Sequence, residues 1–200
     1  RAVLQTNPKK KAKEHVEIAD KQSIDVCMGH AIEINRHHPD YIPLMLAVDA
    51  LGGSFSARLM RTVRDEEGLT YNVGSHLGHF SQSLHGTWRV TGSFSPKLLD
   101  KGLASIQKPL DLWYSKGISA QELKERQDGI VGKYLVSLSS ASTIANVIME
   151  RITMGDDLEL YYSYPDLVRN VSVEDVNRVI KEYIDLNSMS CVTPDAGSLI

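Results

Sequence analysis

The sequence contains seven histidines, the side chains most often used with cysteine to bind catalytic or structural zinc. Neither H-E-x-x-H nor its inverted form H-x-x-E-H occurs. Glu14-His15 comes nearest, but Lys11 stands where the inverted motif needs its first histidine. His76 and His79 are three positions apart in a predicted strand and should point to opposite faces. We therefore expect no zinc site within this chain.

Other catalytic motifs are also missing from the sequence. Gly53-Ser54-Phe55 lacks the second glycine of the G-x-S-x-G serine-hydrolase motif, and Gly52-Gly53 lacks the spacing of a dinucleotide or phosphate loop. Cys27 and Cys191 lie in apolar, strand-like segments without C-x-x-C spacing. A disulfide between them requires neighbouring strands, and buried free thiols are the simpler interpretation.

Composition favours a packed protein and argues against two classes of partner. Of the 200 residues, 42% are hydrophobic and 24% charged, as in proteins with a substantial core. The net charge of −3 provides no field for nucleic acid, and no apolar run is long enough to predict a membrane segment. We expect residues 1–13, which include a lysine cluster, to form a flexible lead-in.

Hydrophobic periodicity predicts strands first and helices afterwards. The alternation between Glu14 and Glu33 indicates two strands. A largely buried helix over Tyr41–Leu51 should end at Gly52-Gly53, and Ser54 can cap a second short helix that stops near Gly68. Two further strands, Thr70–His79 and His85–Phe94, flank a turn at residues 81–83.

The second half of the chain reads mainly as helix. The predicted helices cover Leu98–Trp113, a segment from the Ser119–Glu122 capping box through Leu135, Ser139–Met154, and a segment capped by Ser172 that runs to Ile184. Small and apolar residues predict that the third of these packs tightly, namely Ala141, Ala145 and Val147. A strand at Met189–Val192 closes the chain, and this order favours a single α+β domain over residues 1–200.

One group of residues, concentrated between positions 29 and 75, carries a resemblance to a known family: Gly29-His30, Arg36, Pro39-Asp40-Tyr41, Leu51-Gly52-Gly53, Phe55-Ser56, Arg58-Leu59, Arg64 and Gly68-Leu69-Thr70-Tyr71. The pattern resembles the carboxy-terminal, non-zinc half of the pitrilysin/insulinase zinc metallopeptidases, which include the mitochondrial processing peptidases. The resemblance implies a mixed, mainly antiparallel sheet with helices packed on one face. It also implies that the chain is the C-terminal half of a longer two-domain peptidase.

In that family two related halves close around an extended peptide, and only one half binds zinc. The resemblance therefore implies a zinc-bearing partner domain or subunit, a peptide substrate bound along a sheet edge, and no cofactor in this chain. Bacterial relatives are often found in the envelope or periplasm, so the resemblance favours that compartment here.

The family's assisting arginine and tyrosine match Arg64 and Tyr71, with the same spacing. A guanidinium can hold a substrate carbonyl or carboxylate at any pH, and a phenol can donate to the oxyanion of peptide hydrolysis. One such donor typically lowers the barrier by about 3 kcal/mol. Alternatively, Arg64 only stabilises a helix C-terminus and Tyr71 only packs at a strand start.

Three functions stay open from the sequence. The chain can be the non-catalytic half of a zinc metalloendopeptidase, inactive by itself. It can instead be a structural homologue that keeps the fold without proteolysis, as some relatives in respiratory complexes do. A separate peptide-binding module is the third.

Overall fold

The computed structural model describes residues 13–17, 22–78, 85–154 and 159–195. A five-stranded sheet in the order β1-β5-β2-β4-β3 forms one layer. Its strands are β1 (Lys13–Glu17), β2 (Ile24–Ile32), β3 (Val73–Gly78), β4 (Gly86–Phe94) and β5 (Ser190–Asp195). β1 pairs in parallel with β5, whereas the β2–β5, β2–β4 and β3–β4 pairs are antiparallel. The predicted α+β class with a mixed, mainly antiparallel sheet is confirmed.

Six α-helices complete the described part of the chain. They are α1 (Tyr41–Gly52), α2 (Leu99–Lys116), α3 (Ala120–Ser137), α4 (Ala141–Met154), α5 (Glu159–Arg169) and α6 (Val173–Tyr183). A π-helix at Met60–Glu66 lies between α1 and β3. Short 3-10 turns at Pro96–Leu98 and Leu186–Ser188 precede α2 and β5.

Alternation along the strands gives the sheet one buried and one open face. In β4, Trp88, Val90 and Phe94 are almost fully buried, and the pairing places β2 residues such as Ile24 and Val26 on that face. The buried strand residues belong to one core cluster with apolar residues of α1, α2, α3 and α6. The helices thus cover one face of the sheet, and the alternate strand positions form the other, open face.

Helix α1 is buried on most sides, as predicted, and it lies close to the sheet. A Cβ at Gly52 would lie 2.4 Å from the backbone nitrogen of Ser75, so only glycine permits this approach. The N-terminal end of α1 is joined to α6, because Asp40 accepts hydrogen bonds from Arg178 and Tyr183. The Arg178 hydrogen bonds lower the pKa of the Asp40 carboxyl.

The boundaries predicted for α2, α3, α6 and β5 agree with the structure to within a few residues. The Ser119 capping box is present in full: its hydroxyl accepts from the Glu122 backbone N–H, and the Glu122 carboxylate accepts from the Ser119 N–H. Ser172 caps α6 by accepting from the Asp175 N–H.

Three expectations about the helices were wrong or incomplete. Ser54 does not cap the second helix, because helical structure begins at Arg58 and the Ser54 hydroxyl accepts a hydrogen bond from Arg126. Ala141 and Ala145 are exposed rather than tightly packed, since the core cluster draws its residues from other elements. Helix α5 was not identified, because Pro165 interrupts its sequence pattern.

The two cysteines are half-buried thiols that form no disulfide in the described part of the chain. Their strands are neighbours, but Cys27 pairs with Val192 and Cys191 pairs with Met28. Directly paired residues share a face and adjacent positions alternate, so the two thiols lie on opposite faces of the sheet. The register therefore rules out a disulfide between them. The expected lead-in, apart from Lys13 in β1, and the turn at residues 81–83 lie outside the described residues.

Candidate functional site

Arg64 lies on the π-helix Met60–Glu66, whose wider turn is seen in the hydrogen bond from the Glu67 N–H to the Thr62 carbonyl, 3.1 Å long. Such helices are rare and frequently occur at functional sites. The Arg64 guanidinium carbon lies 5.3 Å from the ring centroid of Phe55, and its Nε is 4.0 Å from Asp65 Oδ1. Its side chain is 35% exposed, so the charge is accessible.

Tyr71 projects from the segment between this helix and β3. Gly68 turns the chain with a φ of 64°, a conformation that favours glycine. Thr70 fixes the segment to β4, since its hydroxyl donates to the carbonyl of Ser93. Tyr71 itself is 90% exposed, and its hydroxyl makes no hydrogen bond with any residue that the structure describes. The segment thus presents an exposed phenol whose hydroxyl is available as a donor.

The structure brings the two predicted site residues into one cleft. Arg64 and Tyr71 both line a depression of about 820 Å³. Asp25 and Ser93 contribute to it from the open face of the sheet, and Asp65 contributes from the π-helix. The side chain of Arg64 and the ring of Tyr71 can therefore contact the same extended ligand.

A second cleft of about 410 Å³ shares Tyr71 with the first. Its apolar wall is formed by Phe55, Met60 and Val73, and Lys133 and His76 add polar groups. Because Tyr71 lines both clefts, it can contact ligand groups in either one.

Two arginines hold the segment that leads into the π-helix. Arg58 binds the Glu122 carboxylate through Nε and Nη2, at 2.7 and 2.8 Å, and also donates to the Gly117 carbonyl. The Arg58 hydrogen bonds lower the pKa of Glu122 to about 2. Arg126, which is buried, donates to the hydroxyls of Ser54 and Ser56 on either side of Phe55.

The sequence did not predict that Phe55 contacts Arg64 or that Arg126 contacts Ser54 and Ser56. Phe55 belonged to the motif that carried the family resemblance, so a signal existed, but only the fold shows its ring beneath Arg64. Arg126 gave no signal, because it lies on α3 and reaches a loop distant in sequence.

The histidines do not assemble a metal centre in the part of the chain that the structure describes, where no group of three or more potential ligands occurs. His30 uses both ring nitrogens, because Nδ1 lies 2.8 Å from the Ala31 carbonyl and Nε2 accepts from the Asp185 N–H. His30 is thus held in place by hydrogen bonds at both ring nitrogens. Among the described helices, none has the length and apolar character needed to cross a membrane.

Relatives of known sequence match most of the chain. The family model for the peptidase M16 inactive domain matches residues 2–130. The chain is 25% identical over 182 residues to the non-peptidase homolog YmxG of Helicobacter pylori, covering 90% of this chain and 41% of that protein. It is also 25% identical over 146 residues to PqqL of Escherichia coli, covering 73% of this chain and 16% of PqqL. The chain thus spans less than half the length of these relatives.

Solved structures share the fold. The M16 inactive domain from Pseudomonas fluorescens superimposes with a TM-score of 0.83 at 22% identity, covering 96% of this chain and 45% of that one. The periplasmic protease PqqL from Escherichia coli gives 0.74 at 21% identity, covering 93% and 20%. Residues 2–130, which the family model matches, include Arg64, Tyr71 and the loop that Arg126 contacts through Ser54. The chain belongs to the peptidase M16 inactive-domain family.

Proposed function

We propose that this chain is the non-catalytic half of a zinc metalloendopeptidase, which closes over a zinc-bearing half and supplies Arg64 and Tyr71 to the shared site. The observation that carries the proposal is their common cleft, in which Tyr71 is 90% exposed. An exposed tyrosine on a well-anchored segment is consistent with a ligand or partner that covers it.

The roles of the two residues follow from their chemistry. The zinc of the partner half supplies an activated water for attack on the peptide carbonyl. Tyr71 donates its hydroxyl proton in a hydrogen bond to the developing oxyanion. Arg64, held between Phe55 and Asp65, offers donors to a carbonyl or carboxylate of the substrate.

An extended peptide suits the elements around the cleft. Within the described residues β3 is an edge strand, and it begins two positions after Tyr71. Its unpaired backbone groups can bind an added strand, while the two clefts beside Tyr71 receive alternate side chains.

The partner is a homologous zinc-bearing domain or subunit. We propose that residues 1–200 form one α+β domain, the C-terminal half of a longer peptidase. The chain covers 41% of YmxG and 45% of the Pseudomonas fluorescens chain, which leaves room for a second half of similar size in those proteins. Because PqqL is described as periplasmic, we infer an envelope or periplasmic location here.

Reconstitution tests this proposal. The isolated chain should bind no stoichiometric zinc and cleave no peptide, whereas adding the zinc-bearing half should produce peptidase activity. The zinc-bearing half alone serves as the control. Peptidase activity of the isolated chain would contradict the proposal. So would a zinc-bearing half that is as active alone as it is with this chain.

A second candidate is a proteolytically inactive structural or peptide-binding homologue. The similarity to YmxG, named a non-peptidase homolog, over 90% of this chain favours it. In that case Arg64 and Tyr71 would serve only the stability of the fold. A stable complex with the other half that lacks activity, with or without added zinc, would support this alternative.

A further inference from the structure

The open face of the sheet carries a pair of large basic side chains among small ones. His76 on β3 pairs directly with Arg89 on β4, so both side chains lie on this face. The neighbours of His76 on the same face of β3 are Gly74 and Gly78, two positions away on either side. The strand therefore presents one imidazole between two positions that lack side chains.

The glycines make room for the two basic groups. A Cβ at Gly74 would lie 2.7 Å from His76 Nε2, and a Cβ at Gly78 would lie 2.9 Å from Arg89 Nη2. His76 and Arg89 thus lie over the backbone of β3 rather than projecting away from the sheet. We call this arrangement of Gly74, His76, Gly78 and Arg89 the glycine notch.

Arg89 has no acceptor for its guanidinium among the residues that the structure describes. Arg89 forms no ion pair or hydrogen bond with any of them, and its Nε is buried without a partner. Burying a donor without an acceptor is unfavourable, because the donor loses its hydrogen bond to water. An arginine in this condition is suited to a ligand that brings an acceptor to it.

The surroundings of His76 show which groups act on the notch. Desolvation lowers the pKa of His76, and the Arg89 charge lowers it further, while Asp49 acts in the opposite direction. The imidazole is therefore mainly neutral at pH 7 and can donate one N–H. Lys133 also lines the cleft shared by His76 and Tyr71.

We propose that the glycine notch binds a carboxylate of the peptide, with Arg89 as the principal donor and His76 as the second. The guanidinium fork matches the two oxygens of a carboxylate, and the imidazole N–H adds a third donor. The choice of a peptide rests on the proposed function, because His76 and Tyr71 line the same cleft. The carboxylate is either the peptide's C-terminus or an Asp or Glu side chain.

Titration of the chain by NMR tests the site without any enzymatic activity. The probes are N-acetyl-tetraalanine with a free C-terminus, its C-terminal amide, and two amidated peptides that differ only by an internal Glu or Gln. At least one carboxylate-bearing peptide should bind about tenfold more tightly than its neutral counterpart. The same peptide should raise the pKa of His76, because a nearby anion favours the imidazolium. A difference between the free C-terminus and its amide identifies the C-terminal carboxylate. A difference between the internal Glu and Gln peptides identifies a side-chain carboxylate.

Substitutions at Arg89 test whether this residue causes the preference for a carboxylate. Arg89→Gln should remove the preference for the carboxylate, and Arg89→Lys should retain part of it. Lys101→Gln, which changes an exposed lysine on α2, serves as the charge-matched control. Equal binding within both peptide pairs, no binding at all, or a preference that survives in folded Arg89→Gln would overturn the proposal.

The peptide comparison on the unaltered chain stands even if Arg89→Gln fails to fold. It is also separable from the proposed function, because it needs neither zinc nor the other half. A carboxylate preference in a chain that restores no activity would support the glycine notch and contradict only the peptidase role.

Discussion

Arg58 and Glu122 form a bidentate ion pair, with distances of 2.7 Å from Nε to Oε1 and 2.8 Å from Nη2 to Oε2. Glu122 is also the acidic member of the α3 capping box, so one carboxylate caps α3 and holds the start of the helix that carries Arg64. The geometry of the candidate site therefore depends on the N-terminus of α3.

This ion pair makes stability depend on pH in the acidic range. The pKa of Glu122 falls from 4.5 to about 2 in the folded chain, mainly through its hydrogen bonds from Arg58. A depressed folded pKa gives stability that is present above pH 4.5 and is lost as the pH falls towards 2. Urea unfolding across this range should show Glu122→Gln with a flatter pH profile than the unaltered chain. Parallel profiles for the two proteins would contradict the assigned role.

Arg126 and Ser56 should be energetically coupled. The buried guanidinium donates to the Ser56 hydroxyl at 2.9 Å, and Ser54 is its other hydroxyl acceptor. Arg126→Met should lower the free energy of unfolding by roughly 2–3 kcal/mol, since charged hydrogen bonds are lost. A double-mutant cycle with Ser56→Ala, measured by urea denaturation, should give a coupling of about 0.5 kcal/mol or more. Ser115→Ala, which changes an exposed serine on α2, is the control and should add independently.

Two exposed glycines should respond to alanine with opposite signs. Gly68 has a φ of 64°, and a Cβ there would meet no atom within 4 Å, so only backbone strain opposes the substitution. Gly68→Ala should destabilise the chain by about 1 kcal/mol. Gly129 also has free space but lies inside α3, where alanine should stabilise by about 0.5–1 kcal/mol. Thermal melts of the two variants provide the comparison; shifts of the same sign would contradict it.

Cys27 and Cys191 should both remain thiols under oxidising conditions, because the β2–β5 register places them on opposite faces. Alkylation of the denatured chain without reductant should modify both residues. Cys27→Ser serves as the control for a single modification. A monomer that gains alkylated cysteines only after reduction would show that the register is wrong.

Much of the fold could be predicted from local patterns. The Ser119 capping box, the Ser172 cap and the alternation in β4 each depend on residues close in sequence, and each is present in the structure. Helix α4 was predicted to be packed because Ala141 and Ala145 are typical of close helix contacts, yet both are exposed. Local composition does not show which apolar faces the rest of the chain can cover.

The candidate site could also be predicted only in part from the sequence. Spacing and family resemblance selected Arg64 and Tyr71, and their common cleft depends on the Gly68 turn, which the sequence also indicated. The Arg126 contacts to Ser54 and Ser56 and the position of Arg89 beside His76 arise from helices and strands that meet only in the fold. No local pattern encodes such contacts.

Turnover by the reconstituted peptidase with Tyr71→Phe shows whether the Tyr71 hydroxyl stabilises the oxyanion. The substitution removes only an exposed hydroxyl, so folding and assembly should be unchanged. We expect kcat to fall roughly 100-fold while KM changes little, because the hydrogen bond forms in the transition state. Tyr162→Phe, at another exposed tyrosine, should leave both constants unchanged. A Tyr71→Phe enzyme with normal kcat would contradict the oxyanion role.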